Sequence, residues 1–183
     1  MKMTRLLCLM FTALLLSTKA LAATNVVIFC DVDGVLNSKE SGTMFPDNPK
    51  KYALNDDNVS CLTNLCGKLG AKVVIHSGWN KRGMDETWTY RGRNYASLLP
   101  DATNRLGSLC LGITVHTNGS CKAREILNWV NDREVVGIVL DDDMSERNHW
   151  ELLDPHPNLI LFRIDQNTGL STNDVACISD NIR

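Results

Sequence analysis

The sequence predicts an α/β fold, a single domain in which a parallel sheet is covered by helices on both faces. Three observations lead there. Short β-branched runs without polar alternation recur along the chain, the pattern of strands buried on both sides. Stretches of helical periodicity separate them. The length of 183 residues, with 44% hydrophobic content and five prolines, suits one globular core. No internal repeat, low-complexity tract or charged linker interrupts the alternation.

The first residues read as an address rather than as structure. Lys2 and Arg5 precede an apolar run from Leu6 to Leu16, and Ala20-Leu21-Ala22 offers a small-x-small cleavage site, the arrangement of a secretory leader over residues 1–22. The run is shorter than the roughly 18 apolar residues of a membrane helix, and no later stretch approaches that length. The expectation is a mature domain over 23–183, periplasmic or secreted, with no stable membrane association. An uncleaved anchor is the rival reading. Loss of Lys2, Arg5 and Lys19 with the leader moves the formal charge from −2 to −5. Such a balance excludes nucleic-acid binding by bulk charge and leaves only a local patch.

Cys30, Cys61, Cys66, Cys110, Cys121 and Cys177 remain after the leader, an even number that permits up to three disulfides in an oxidising compartment. They contain no CxxC pair or clustered Cys/His spacing, which speaks against zinc. Asn58-Val59-Ser60 and Asn118-Gly119-Ser120 have the form of glycosylation acceptors.

In chain order, four runs predict buried parallel strands: Asn25 to Cys30, Lys72 to His76, Val135 to Leu140 and Leu159 to Arg163. Leu111 to His116 is a weaker fifth. Asp56 to Leu69 predicts a helix that places Val59, Leu62, Leu65, Cys66 and Leu69 on one face, with Asn55 as its cap and Gly70 as its stop. Lys122 to Asp132 predicts another, burying Ala123, Ile126, Leu127 and Val130. A last helix follows Ser171, whose hydroxyl caps it with Asp174 three residues on. The stretches Ser38 to Leu54, with Pro46 and Pro49, and Lys81 to Pro100 lack periodicity and read mostly as loop.

In an open parallel sheet, ligands gather at the carboxyl ends of the strands, and those ends carry the reactive side chains. Asp31-Val32-Asp33-Gly34-Val35-Leu36-Asn37 leaves the first strand. Two carboxylates one residue apart, followed by a glycine that turns the chain, allow one to attack while the other handles a proton beside a cation. A plain turn or a calcium loop is the rival reading, but Val35 and Leu36 stand where a calcium loop would want acidic residues. The second strand ends in His76-Ser77-Gly78, where a hydroxyl and free amides suit phosphoryl oxygens. Lys122 opens a helix, from which its ammonium can neutralise a phosphate and a carboxylate. Asp141-Asp142-Asp143 follows the third strong strand, and such a run is costly at a buried strand end unless a cation or hydrogen bonds offset the repulsion. A solvated acidic turn is the alternative.

Taken in order, Asp31-x-Asp33-Gly34, Ser77-Gly78, Lys122 and Asp141-Asp142 resemble the four motifs of the haloacid dehalogenase superfamily, over Val26 to about Arg163. The Asp-Val-Asp-Gly-Val-Leu-Asn start and Gly169-Leu170-Ser171 before the last helix are most similar to small cap-poor members. These include the domain of Swiss Army Knife RNA repair proteins and the polynucleotide 3'-phosphatases. The resemblance implies a Rossmann-like three-layer sandwich and a magnesium-dependent phosphatase. It implies Asp31 as the nucleophile that becomes phosphorylated and Asp33 as the acid and base. It further implies Mg²⁺ on Asp31, Asp142, Asp141 and the backbone carbonyl of Asp33, Ser77 and Gly78 on the phosphoryl oxygens, and Lys122 as the neutralising charge. One departure is that Trp79-Asn80 stands where many relatives carry an arginine. Cys30, just before the nucleophile, reads as a buried strand residue rather than a reactive thiol.

The spacing leaves 43 residues between Asp33 and Ser77 and 44 between Ser77 and Lys122, too few for a large cap once the core elements are placed. An open site of this kind admits bulky phosphorylated substrates, including nucleotides and nucleic-acid ends. Between Trp79 and Tyr95, Lys81, Arg82, Arg91 and Arg93 interleave with Trp88 and Tyr90, a composition that can pair with phosphates and stack on a base; a solvated loop is the plainer reading. The rival to a phosphohydrolase is a catalytically silent domain of the same fold serving as an exported binding protein. A silent domain has no use for the full acidic and lysine set.

Overall fold

A computed structural model describes residues 25–44, 53–78, 89–90, 93–94, 98–116 and 119–182. The predicted leader over 1–22, Asn118 and most of the basic aromatic stretch from 79 to 95 lie outside the described residues. Among those described, no helix is long and apolar enough to cross a membrane.

Five strands form one parallel sheet: β1 (Asn25–Cys30), β2 (Lys72–Ile75), β5 (Cys110–Ile113), β6 (Val135–Asp141) and β7 (Leu159–Arg163), in the order β5-β2-β1-β6-β7. Strands β3 (Thr89–Tyr90) and β4 (Arg93–Asn94) pair as a separate antiparallel hairpin. The chain lays strands outward from β1 on one side and then returns to fill the other. The strand order therefore reverses between β1 and β6, where an open α/β sheet leaves a crevice at its carboxyl edge.

Both faces are covered, which is why the strands read as continuous apolar runs. Successive residues of a strand point to opposite faces. Ile28 and Cys30 thus pack with Val73, Ile75, Ile138 and Leu140 against α1 (Asp56–Leu69), α2 (Leu98–Leu106) and α4 (Thr172–Asn181). Val27 and Phe29 pack with Val74 and Val139 against Ala123 and Ile126 of α3 (Lys122–Val130) and against Leu153. The result is the expected α/β three-layer sandwich with a central parallel sheet.

The helix signals act as the sequence implies. Asn55 Oδ1 accepts from the amides of Asp57 and Asn58 at 2.8 and 3.3 Å, and Gly70, at φ 63°, ends α1 in the left-handed conformation that glycine adopts without strain. Ser171 and Asp174 close a reciprocal capping box on α4.

Five readings need correction. The supposed loop to Pro100 gives way to α2 at Leu98, because a proline in the first helical turn removes an amide that has no partner there anyway; Leu99, Ala102 and Leu106 are its buried face. The fifth strand is Cys110–Ile113 rather than Leu111 to His116, and α3 stops at Val130, short of Asp132. The six described cysteines carry no disulfide: Cys30, Cys61 and Cys66 are buried among apolar side chains, while Cys177 is exposed. Asn58 is no glycan acceptor in this fold, since it is 4% exposed and its amide donates to the carbonyls of Thr168 and Leu170 at 3.0 and 2.9 Å.

Candidate active site

The crevice between β1 and β6 is where four of the singled-out residues meet. Asp31 leaves β1 with its amide on the Leu140 carbonyl at 3.0 Å, so the first residue past β1 is still tied to β6. Its Oδ1 accepts from the Val32 amide at 2.7 Å, and its Oδ2 accepts from Lys122 Nζ. Lys122, the first residue of α3, is 7% exposed and also donates to Asp141 Oδ2 at 2.6 Å. Burial works against its charge, yet the two carboxylates outweigh that and hold the ammonium above its ordinary range.

The turn after Asp31 is built from backbone. The amides of Val35, Leu36 and Asn37 converge on the Val32 carbonyl at 3.3, 2.9 and 3.3 Å. Asn37, fully buried, accepts from the Gly34 amide at 2.9 Å and donates to Asp33 Oδ1 at 3.0 Å. It thereby orients the second aspartate of the motif. Gly34 has φ 74°, and a Cβ built on it would lie 2.4 Å from Asp142 Cγ and 2.8 Å from Asp142 Cβ. Only glycine lets the loop after β6 close over the loop after β1.

The three consecutive aspartates diverge. Asp141 ends β6, has no exposure, and accepts from the Asp143 amide at 2.8 Å in addition to Lys122. Asp142 lies over Gly34. Asp143 turns outward to Arg147 and the Ser145 amide; burial opposes its charge, but those bonds prevail and hold it at about 2. Its carbonyl accepts from Asn148 Nδ2 at 2.8 Å and Trp150 Nε1 at 2.9 Å, which pins the acidic turn to the segment that follows.

Asp31, Asp141 and Asp142 each offer an oxygen, all within 4.8 Å of one another. Burial, followed by the Asp31 charge, raises Asp142 to about 7, and the same causes raise Asp141. Three carboxylates facing one ammonium leave a negative excess in a closed place. A divalent cation with oxygen ligands fits that set, whereas zinc would favour nitrogen and sulfur. Asp33 does not belong to the carboxylate cluster. Ser77 follows β2 and is buried, while Gly78 is exposed.

His76, which sequence reasoning did not single out, is part of this floor. Its amide donates to the Cys30 carbonyl at 3.0 Å, its Nε2 lies 3.3 Å from the Leu140 carbonyl, and its Nδ1 is 3.8 Å from Asp141 Oδ2. Burial above all, then the charge of Lys122, lowers it to about 4, so the ring is neutral and Nε2–H donates to Leu140. Trp150 packs edge-on against it at 6.1 Å between ring centroids. Its position directly before Ser77 was the available signal. For Asn37 it was the place at the end of the Asp31 motif. Cys30 is fully buried and its thiol is pushed well up by burial, so it is a packing residue.

No curated protein and no solved structure matches the chain. Residues 27–175, from β1 into α4, match the sequence pattern of the HAD domain in Swiss Army Knife RNA repair proteins. With that span covering most of its length, and with the acidic strand ends and the lysine gathered at one crevice, the chain belongs to this family of the haloacid dehalogenase superfamily.

Proposed function

We propose that this chain is a Mg²⁺-dependent phosphomonoester hydrolase that passes through an aspartyl phosphate on Asp31. Family membership supports a phosphatase-type hydrolase in general. The observation that carries the finer reading is the shared environment of Asp31, Lys122, Asp141 and Asp142.

In this reading Asp31 Oδ attacks phosphorus and the ester oxygen leaves with a proton from Asp33; Asp33 then takes a proton from water, which releases phosphate from Asp31. Two displacements replace one difficult step. Asn37 holds Asp33 in place for both proton transfers. Lys122 stabilises the charge that gathers on the phosphoryl oxygens, and Ser77 and the Gly78 amide bind them. Asp31, Asp141, Asp142 and the Asp33 carbonyl would hold Mg²⁺, which when bound screens the carboxylates from the incoming phosphate and withdraws charge from its oxygens.

The family's association with RNA repair proteins supports a substrate among nucleotides and nucleic-acid ends. Export remains part of the proposal, resting on the pattern of residues 1–22; a mature protein beginning near Ala23 by mass would bear it out. The reading of mechanism is tested by phosphate release from p-nitrophenyl phosphate, nucleotides and phosphorylated oligonucleotides, with and without Mg²⁺, beside Asp31→Asn. The expected result is Mg²⁺-dependent release abolished in Asp31→Asn. Release that survives the substitution defeats the mechanism, and inactivity on every substrate favours the silent binding domain.

A further inference from the structure

A second set of polar side chains is buried at the same edge of the sheet and takes no part in the chemistry above. Glu125 of α3 is 2% exposed, and both its carboxylate oxygens are engaged. Oε2 accepts from Thr114 Oγ1 at 3.2 Å, and Oε1 lies 2.6 Å from His116 Nδ1. The Thr114 amide donates to the Ile75 carbonyl at 2.9 Å, so Thr114 stands beside His76 at the end of the neighbouring strand, with His116 two residues further out. Glu125 follows Lys122 by three residues, and both are buried residues of α3. At that spacing two helical side chains share a face, about 5–6 Å apart at Cβ. The imidazole is thus placed at the carboxyl edge, on the β5 side of the lysine that reaches Asp31.

The geometry determines what this ring can do. A carboxylate only accepts, so His116 Nδ1 carries the hydrogen between them, and Nε2 is the nitrogen left to meet a ligand. Nε2 has no partner among the described residues. Burying a carboxylate to orient an imidazole whose other nitrogen stays open goes beyond what packing requires. A hydroxyl, which both donates and accepts, matches that nitrogen whether or not it carries a hydrogen.

We propose that His116, held by Glu125, is a specificity-determining residue whose Nε2 hydrogen-bonds a hydroxyl on the alcohol part of the substrate, such as the one a ribose carries beside a terminal phosphate. The proposal rests on the phosphomonoesterase reading for its substrate, but its test does not require turnover. The full chain carrying Asp31→Asn is titrated calorimetrically with adenosine 3'-phosphate and with 2'-deoxyadenosine 3'-phosphate in Mg²⁺. The hydroxyl-bearing ligand should bind about three- to tenfold more tightly, the worth of one net hydrogen bond, and adding His116→Ala should erase that preference.

Nitrogen NMR of the His116 ring in Asp31→Asn gives the same answer without altering the histidine, since Nε2 should shift with the ribose ligand and not with the deoxy one. Equal affinities, failure to bind either ligand, a preference that survives His116→Ala, or a preference for an added second phosphate each overturns the proposal. A hydroxyl preference in a protein whose native form releases no phosphate would sink the hydrolase reading alone.

Discussion

Gly34→Ala offers the sharpest perturbation of the candidate site, because the structure separates its two costs. The first is conformational: at φ 74° an alanine is held in the left-handed region, which costs roughly 1–2 kcal/mol. The second is collision, with the new Cβ 2.4 Å from Asp142 Cγ and 2.8 Å from Asp142 Cβ. Reaching ordinary van der Waals contact, 3.4 Å or more, requires the carboxylate to retreat by about 1 Å. Because the Asp142 Cβ is also in the way, rotating its side chain does not suffice and the loop after β6 must shift. A displacement of about 1 Å at reacting groups can reduce turnover on the order of 100-fold.

Gly42→Ala is the matched control, with φ 67° and nothing within 4 Å of its Cβ. Both variants should lose stability in urea unfolding from the backbone, Gly34→Ala losing more through its collision, whereas only Gly34→Ala should lose activity on p-nitrophenyl phosphate and the thermal stabilisation by Mg²⁺ that the proposed function expects. A Gly34→Ala protein that keeps its turnover within a few-fold of the native enzyme and responds to Mg²⁺ as before would refute the placement of Asp142 over this glycine as a requirement of function.

Two further outcomes follow from the charges. Lys122→Met leaves Asp31 and Asp141 buried without their shared ammonium. Metal-free urea unfolding should register a loss of about 3–5 kcal/mol, part of it recovered by Mg²⁺, and a loss below about 1 kcal/mol would show that the lysine does not compensate these carboxylates. Asp142 stands at about 7 in the folded protein against an ordinary 3.8, so the folded state binds its proton more tightly and metal-free stability should fall as pH rises from about 4 to about 7. At 1.36 kcal/mol per pH unit the full rise is about 4 kcal/mol, which solvent screening of this partly exposed group reduces to roughly 1–2 kcal/mol. The contribution of His76 has the opposite sign, since its lowered value removes stability as pH falls from 6.5 toward about 4. The measurement is therefore the native protein minus Asp142→Asn across that range, and a flat difference would contradict the assignment.

Much of this fold is legible where local chemistry decides it. The runs of β1, β2 and β6 announce themselves because both faces are buried, β7 is a half-buried edge strand whose Leu159 to Phe162 is still unbroken by polar residues, and Asn55, Gly70 and the Ser171–Asp174 pair mark helix ends through bonds to their own backbone. Signals fail where the outcome depends on a neighbour. β5 is an edge strand with Leu111 52% exposed and Gly112 at φ 140°, so its alternation is too weak to set its ends. Pro100 hides the apolar spacing of α2.

The candidate site shows the same division. Asp31, Asp33, Lys122, Asp141 and Asp142 stand at element ends in a recognisable order. His76 and Asn37 gain their roles only from what the folded strands place against them. Glu125 and His116 are unreadable in advance because their meeting requires β5 to lie beside β2, a choice of strand order that no local pattern encodes.

The run Asp141-Asp142-Asp143 shows how far residue type underdetermines role. Alternation along the strand sends Asp141 toward Lys122 and denies it any exposure. The next residue escapes the strand's pairing and fits over Gly34 only because that position lacks a Cβ. The third finds Arg147 and the Ser145 amide and stays ionised at about 2. Asp141 has part of its compensation in the ammonium, and Asp143 has all of its own from the bonds around it. Asp142 is pushed up by burial and by Asp31, which the Lys122 charge only partly offsets. Burial and the Asp31 charge push Asp141 up as well, so a cation bound among these carboxylates would displace protons from both, and metal affinity should weaken as pH falls.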